Sequence, residues 1–143
     1  MSEKIKTSWK GNMAFEWEVN GHKIMIDAME KVGGEDRGAR PKTFMLASLG
    51  GCTAMDVISI LKKMRVTEML EDFNVDVSGE LTDEHPKHFI AMHVDYIFTP
   101  KDGVELPMAK LEKAINLSEE RYCGVSEVYR KAGIKMTSDI IIK

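Results

Sequence analysis

Hydrophobic and polar positions in the first part of this chain alternate with period two, the signature of half-buried strands. Ile5, Thr7 and Trp9 alternate with Lys4, Lys6, Ser8 and Lys10, and the pair Gly11-Asn12 turns the chain. Phe15, Trp17 and Val19 then alternate with Glu16 and Glu18. Asn20-Gly21 is the strongest short hairpin signal in the sequence, because a type I′ turn needs positive φ at both central residues. Ile24 and Ile26 follow on a third strand, with Met25 and Asp27 facing the other way. Residues 4–27 therefore predict three short strands.

From Pro41 to Arg65 the pattern changes. Phe44, Met45, Leu46, Ala47, Leu49, Met55, Val57, Ile58, Ile60 and Leu61 leave almost no polar face. The run predicts one helix of roughly 37 Å, buried on most sides. Pro41 suits its first position, where a missing N–H costs nothing. Asp56 interrupts the run and Lys62, Lys63 and Arg65 close it, which argues against a membrane span. Two features are costly for folding alone. Gly50-Gly51 costs about 1 kcal/mol per residue relative to alanine, and its usual structural reason is close approach of another backbone. Asp56 is a carboxylate in an apolar run. It lies one turn after Cys52, so both side chains share a face. A thiol, a glycine pair and a carboxylate at mid-helix suggest a site. A packed, inert cysteine is the alternative.

Alternation returns at residues 73–81 and 88–99, a second and longer hairpin. Ile90, Met92, Val94, Tyr96 and Phe98 are expected inward, with His93 and Asp95 outward. Pro107 opens a second helix, with Met108, Leu111, Ile115 and Tyr122 at near-helical spacing. Gly124 breaks it, and Ser126 is placed to cap a short last helix running to about Ala132. Cys123 thus falls at a helix–helix junction, and if it lies at the N-terminal edge of the last helix, the positive end of that helix favours a thiolate. Ile134 to Ile142 predict a final strand. The order β-β-β-α-β-β-α-α-β is an α+β pattern in a single domain, residues 1–143. Residues 30–40, EKVGGEDRGAR, are the stretch expected to be mobile. This loop delivers Arg37 and Arg40 just ahead of the long helix, either as solvated charges or as a cation for the thiol.

Composition narrows the function classes. The net charge is −3 and the two signs are interspersed, which gives no case for a nucleic-acid or membrane partner. The first residues, MSEKIKTSWKG, contain no apolar secretory region, so a cytoplasmic location is expected. Two cysteines in a reducing compartment do not form a permanent staple. The four histidines show no ligand spacing with either cysteine, so no metal or cofactor is expected.

Pro41, then Leu49-Gly50-Gly51-Cys52-Thr53-Ala54-Met55-Asp56-Val57, then Glu120-Arg121-Tyr122-Cys123-Gly124-Val125-Ser126 carry a family resemblance. The chain resembles the OsmC/Ohr proteins, the osmotically inducible and organic-hydroperoxide-resistance family, and is most similar to its less characterised branch with a GGCTxxD-type helix. The resemblance implies an OsmC-like fold and an intertwined homodimer with two long buried central helices. It also implies a peroxidase site in which a thiolate such as Cys52 becomes a sulfenic acid. Cys123 would then condense with Cys52, and an external dithiol would reset the pair. Peroxidase members hold an arginine over the thiolate with a glutamate that follows the helix-opening proline. Here Lys42-Thr43 follow Pro41, and the first arginine in the chain is Arg37. Lysine cannot reproduce the bidentate arginine fork. Arg40, Arg37, Lys42 or Lys10 are the candidate cations, with Asp56 as the candidate orienting carboxylate.

Three functions stay open on this reading. The first is cysteine-dependent reduction of a small, organic hydroperoxide, with Cys52 as peroxidatic and Cys123 as resolving thiol. The second is a non-catalytic binding protein for an apolar ligand. The third is a thiol redox sensor.

Overall fold

Asn20 and Gly21 take positive φ values of 52° and 80°, and the turn they make closes a hairpin. It pairs β2 (Phe15–Val19) with β3 (His22–Ile26), antiparallel, in the computed structural model, which describes residues 1–143. The chain divides into two compact units, Met1–Met45 and Leu46–Lys143.

In the first unit β1 (Lys6–Trp9) joins the other edge of β2, giving the order β1-β2-β3. Asp27 follows β3 and is buried. Its carboxylate accepts the backbone N–H groups of Ala28 at 2.7 Å, Glu35 at 3.2 Å and Arg37 at 3.1 Å. Ala39 adds a parallel bridge to Ile26. Gly38 lies where a Cβ would stand 2.1 Å from the carbonyl oxygen of Met25, so the loop can pass only as glycine there. The stretch expected to be mobile is thus bonded along its length to the end of β3. Burial acts to raise the Asp27 pKa, but the three N–H bonds and the Arg37 charge outweigh it and hold the carboxyl below its usual range. Trp17 meets Phe44 edge-on, with ring centroids 4.8 Å apart.

The second unit holds most of the long helix. A 3-10 turn at Pro41–Thr43 leads into α1 (Phe44–Lys63), which stops two residues before the expected end; Arg65 takes a positive φ of 62° just beyond it. Leu49, Gly50, Thr53, Val57 and Leu61 are the buried residues of α1, one stripe at helical spacing. Its apolar composition is enough, by length and hydropathy alone, to cross a membrane. The stripe instead packs on strands of the same unit: a Cβ at Gly50 would lie 3.1 Å from Val77 Cγ2. Gly50 therefore accommodates a side chain where close backbone approach was expected, and Gly51 faces open space within this chain. Met55 is 73 % exposed and Ile58 37 %, so the chain by itself covers one face of a helix that is apolar nearly all round.

β4 (Leu70–Leu81) and β5 (Phe89–Pro100) form the long antiparallel hairpin, and β6 (Lys135–Ile142) adds to β5 in parallel. Parallel pairing demands a crossover. α2 (Met108–Leu117), a π-helical turn at Ser118–Tyr122 and α3 (Gly124–Lys131) make it. Tyr96, Phe98, Leu61, Leu111 and Val57 are buried in the core, and Phe73 stacks on Phe98 at 4.7 Å. Ile90, expected inward, is 42 % exposed beside the register shift at Glu80/Leu81.

Candidate functional site

Helical geometry sets the first two groups of the site. Cys52 and Asp56 stand one turn apart on α1, both half-buried, beside the fully buried Thr53. The third group depends on the crossover. α2 was expected to run on to Tyr122, but it widens after Leu117 into the π turn, closed by the Cys123 N–H to the Ser118 carbonyl at 2.8 Å. Such turns recur at functional sites because they redirect side chains. Here the turn sends Cys123 inward as the N-cap of α3. Its sulfur accepts the Ser126 N–H at 3.4 Å. Ser126, expected to be the cap, is instead buried in the first turn, because the helix begins at Gly124 with Cys123 as its cap.

Cys52 Sγ, a carboxylate oxygen of Asp56 and Cys123 Sγ all lie within 4.8 Å of one another. Burial chiefly pushes the Cys123 pKa up, to about 12; the neighbouring Cys52 and Asp56 groups add to this, and the Ser126 N–H opposes it. The thiolate expected from the helix end is therefore overturned by desolvation, and Cys123 is a neutral thiol. Two sulfurs at this separation need only a modest approach to reach the 2.05 Å of a disulfide. Three donor groups fall one short of a closed tetrahedral zinc shell, and a proximal thiol pair suits redox chemistry.

Behind the thiols runs a chain of hydroxyls that sequence reasoning did not single out. The Ser118 hydroxyl donates to Asp56 Oδ2 at 3.0 Å and lies 2.8 Å from Thr53 Oγ1. Thr53 Oγ1 lies 2.7 Å from the Tyr96 hydroxyl, which donates to Glu119 Oε1 at 3.1 Å. Thr53, Ser118 and Tyr96 are fully buried, so each must find its partners inside the protein. Burial raises the Tyr96 pKa above the ordinary phenol value, and the Glu119 charge adds to it while the Thr53 bond opposes it. The available signal was weak: Tyr96 is a polar-tipped residue at an inward strand position, and Thr53 lies on the buried stripe.

A cleft of about 570 Å³ opens beside Asp56, lined by Ile60, Met64, Leu117, Tyr122, Lys63 and Lys113 among others. It offers apolar walls and two cations. The four candidate cations named from the sequence belong to the first unit. There, Arg40 pairs with Asp36 at 2.6 Å, Arg37 Nη1 donates to the Lys10 carbonyl at 3.0 Å, and Lys10 Nζ lies 3.9 Å from Glu16. Lys42 lies in the 3-10 turn before α1. Elsewhere, on β5, His93 faces outward as expected, between Asp95 at 3.1 Å and Asp139 at 3.3 Å, with Thr137 at 2.7 Å on its other ring nitrogen.

Comparison with known proteins identifies the family and the fold. The profile of the OsmC-like protein family matches residues 33–139. The protein YhfA of Escherichia coli K12 is 32 % identical over 130 residues, covering 90 % of each chain. Among solved structures, an OsmC-like protein of Vibrio cholerae superposes with a TM-score of 0.77 at 20 % identity, covering 99 % of this chain and 100 % of its own. The organic hydroperoxide resistance protein OhrB of Bacillus subtilis gives a TM-score of 0.59 at 17 % identity, over 100 % and 98 %.

Proposed function

The chain belongs to the OsmC-like family, and we propose that it is a two-cysteine thiol peroxidase that reduces organic hydroperoxides. The observation that carries this reading is the placement of Cys52 and Cys123 side by side, with their sulfurs within 4.8 Å. The neighbour named for organic hydroperoxide resistance supplies the substrate class.

In this mechanism a Cys52 thiolate attacks the terminal oxygen of the hydroperoxide. The sulfur–oxygen bond forms as the O–O bond breaks, the alkoxide leaves and takes a proton from water to become the alcohol, and Cys52 becomes a sulfenic acid. That step removes negative charge from beside Cys123 and so weakens one cause of its raised pKa. Cys123 then attacks the sulfenic sulfur, expelling water and forming the disulfide. An external dithiol returns both sulfurs to thiols. The cleft beside Asp56 gives an organic substituent an apolar wall, and Lys63 and Lys113 suit one that carries a negative group. The protein acts as a homodimer in the cytoplasm in this reading.

The test is single-turnover oxidation of the reduced protein by cumene hydroperoxide and, separately, by hydrogen peroxide. The expected result is rapid loss of two thiols per chain with a Cys52–Cys123 crosslink, faster with the organic peroxide. Cys52→Ser abolishes the reaction, and Cys123→Ser lets Cys52 run on to sulfinic acid. Thiols that survive excess of both peroxides would overturn the reading. A second reading, a non-catalytic receptor for an apolar ligand, is favoured by the cleft alone.

A further inference from the structure

Asp56 has no part in the thiol exchange, and beside two thiols it is the wrong neighbour for it. A carboxylate disfavours a second negative charge close by, whereas a reactive thiolate needs a cation. Asp56 belongs to none of the ion pairs in the chain. Its carboxylate has one hydrogen-bond partner, the Ser118 hydroxyl, on Oδ2 at 3.0 Å. A divalent cation removes the conflict, because the carboxylate and the two sulfurs then become three ligands of one ion.

We propose that Cys52, Cys123 and Asp56 form an open zinc site in the reduced protein: two thiolates, one carboxylate, and a fourth position left to water or a small ligand. The zinc site rests on these three donors alone. Its consequence, that bound zinc shields Cys52 from hydroperoxide, rests on the peroxidase reading.

The distances suit an ion without the closer approach that a disulfide needs. Zinc–sulfur bonds of about 2.3 Å and zinc–oxygen bonds of about 2.0 Å put tetrahedral ligands about 3.5–3.8 Å apart. The three donor atoms lie within 4.8 Å of one another, so no pair has to close by more than about 1.3 Å. Each ligand also has the kind of support that metal ligands use. Ser118 holds Asp56 by Oδ2, which leaves Oδ1 for the ion, and Thr53 Oγ1 fixes Ser118 in turn at 2.8 Å. The Ser126 N–H donates to Cys123 Sγ at 3.4 Å and so favours its charged form. Cys52 and Asp56 stand on α1 and Cys123 caps α3, so regular elements position all three.

The donor chemistry selects the metal. Two thiolates disfavour magnesium and calcium, which take oxygen ligands, and favour zinc over manganese, iron(II) and cobalt. Coordination deprotonates a thiol outright, and the charge of the ion offsets the burial that otherwise keeps Cys123 neutral. Zinc with these three ligands carries one net negative charge, and Lys63 and Lys113 share the cleft that Asp56 lines, where they complement it. Three protein ligands with a fourth position open is the arrangement of a zinc ion that exchanges ligands, as distinct from a closed structural shell. The sulfur electron pair that attacks a peroxide is the one given to zinc, so bound zinc shields Cys52. The disulfide has no thiolate left and does not hold the ion. No histidine enters the set, so the spacing of the four histidines gives no sign of it.

Cobalt(II) titration of the reduced, metal-free full-length protein tests the site without reference to activity. The expected result is one cobalt per chain, with sulfur-to-cobalt charge-transfer bands in the near ultraviolet and the intense visible bands of four-coordinate cobalt. An equivalent of zinc should remove them, since zinc binds such a site more tightly. Cys52→Ser and Cys123→Ser should each weaken the charge-transfer bands, and protein oxidised to the disulfide should bind no cobalt. Asp56→Asn should keep the sulfur bands but lower the affinity about 10²-fold, and Ser118→Ala, which acts through Asp56, about 10-fold. Cobalt bound without sulfur charge-transfer bands overturns the site, as do bands and affinity unchanged in Asp56→Asn or in either serine variant. For the shielding, free zinc at about ten times its dissociation constant should slow Cys52 oxidation by cumene hydroperoxide about tenfold. Oxidation at the metal-free rate under those conditions overturns the shielding. Metal-free protein inert to hydroperoxide sinks the shielding with the peroxidase reading, while the cobalt spectrum still decides the zinc site on its own.

Discussion

Cys123 weighs two opposing effects on one thiol. The first N–H groups of α3 and their dipole favour a thiolate, an effect seldom above about 2 kcal/mol. Burial opposes it and wins, taking the pKa to about 12. The consequence for stability has a definite sign. A thiol whose pKa is raised on folding contributes stability that is fully present below its ordinary value of about 8.5 and is lost as pH climbs through its folded value. Urea unfolding of the reduced protein should therefore show stability falling from about pH 8.5 upward, a fall reduced in Cys123→Ala. The same burial predicts selective chemistry: iodoacetamide at neutral pH should label Cys52 and spare Cys123 in the native protein, with both labelled in urea. Residues of the site that depend on local periodicity were legible before the fold. Cys52 and Asp56 share a helix face by spacing alone, and the structure brings Cys123 to them. The hydroxyls were not legible, because Thr53 meets Tyr96 and Ser118 across 43 and 65 residues of sequence. Such meetings are decided by packing, and no repeat in the chain encodes them.

Among the elements, the strands and their order followed from alternation and the Asn-Gly turn, whereas the ends of the helices did not. The π turn is the clearest case. Its i to i+5 bond from Cys123 to Ser118 continues an apolar helical pattern without any breaker before Gly124, so the sequence reads as one helix. The loop at residues 30–40 failed for a different reason. Its glycines suggest mobility, yet Gly38 is needed so that backbone can pass against the Met25 carbonyl, and one buried carboxylate collects three of the local N–H groups. Asp27→Ala should release this loop. Limited proteolysis should then cut within residues 30–40 well before any cleavage of the wild type. Because folding lowers the Asp27 pKa, its contribution is present above the ordinary carboxyl value of about 3.9 and is lost as pH falls through the folded one, so the two proteins should converge at low pH. α1 offers a second test. Gly50→Ala gains about 1 kcal/mol of helix propensity, but its Cβ presses on the stiff Val77 side chain, and overpacking costs about 1–3 kcal/mol. A net loss of about 1 kcal/mol in denaturant unfolding is expected.

At the scale of the whole molecule, the unsatisfied feature is the outer face of α1. Ala47, Gly51, Met55 and Ile58 recur at helical spacing opposite the buried stripe, and all four are exposed in the single chain. Ala47 and Gly51 are small enough for another backbone to approach, and Gly51 has nothing within 4 Å of an added Cβ. A helix apolar all round is normally buried on all sides, and the partner we propose for it is the one the family resemblance implies, a second copy whose own α1 presents the same face. A two-fold contact of this kind is self-complementary, so each substitution acts twice. The double variant Met55→Lys, Ile58→Lys places four like charges in that contact while leaving the Thr53, Val57 and Leu61 stripe untouched. Light scattering should give twice the chain mass for the wild type and about the chain mass for the variant. Thermal unfolding of the wild type should shift upward with protein concentration, as mass action requires of a dimer that stabilises its protomers, and that dependence should vanish in the variant. A wild type that runs as a monomer at all concentrations would leave this face without the partner assigned to it.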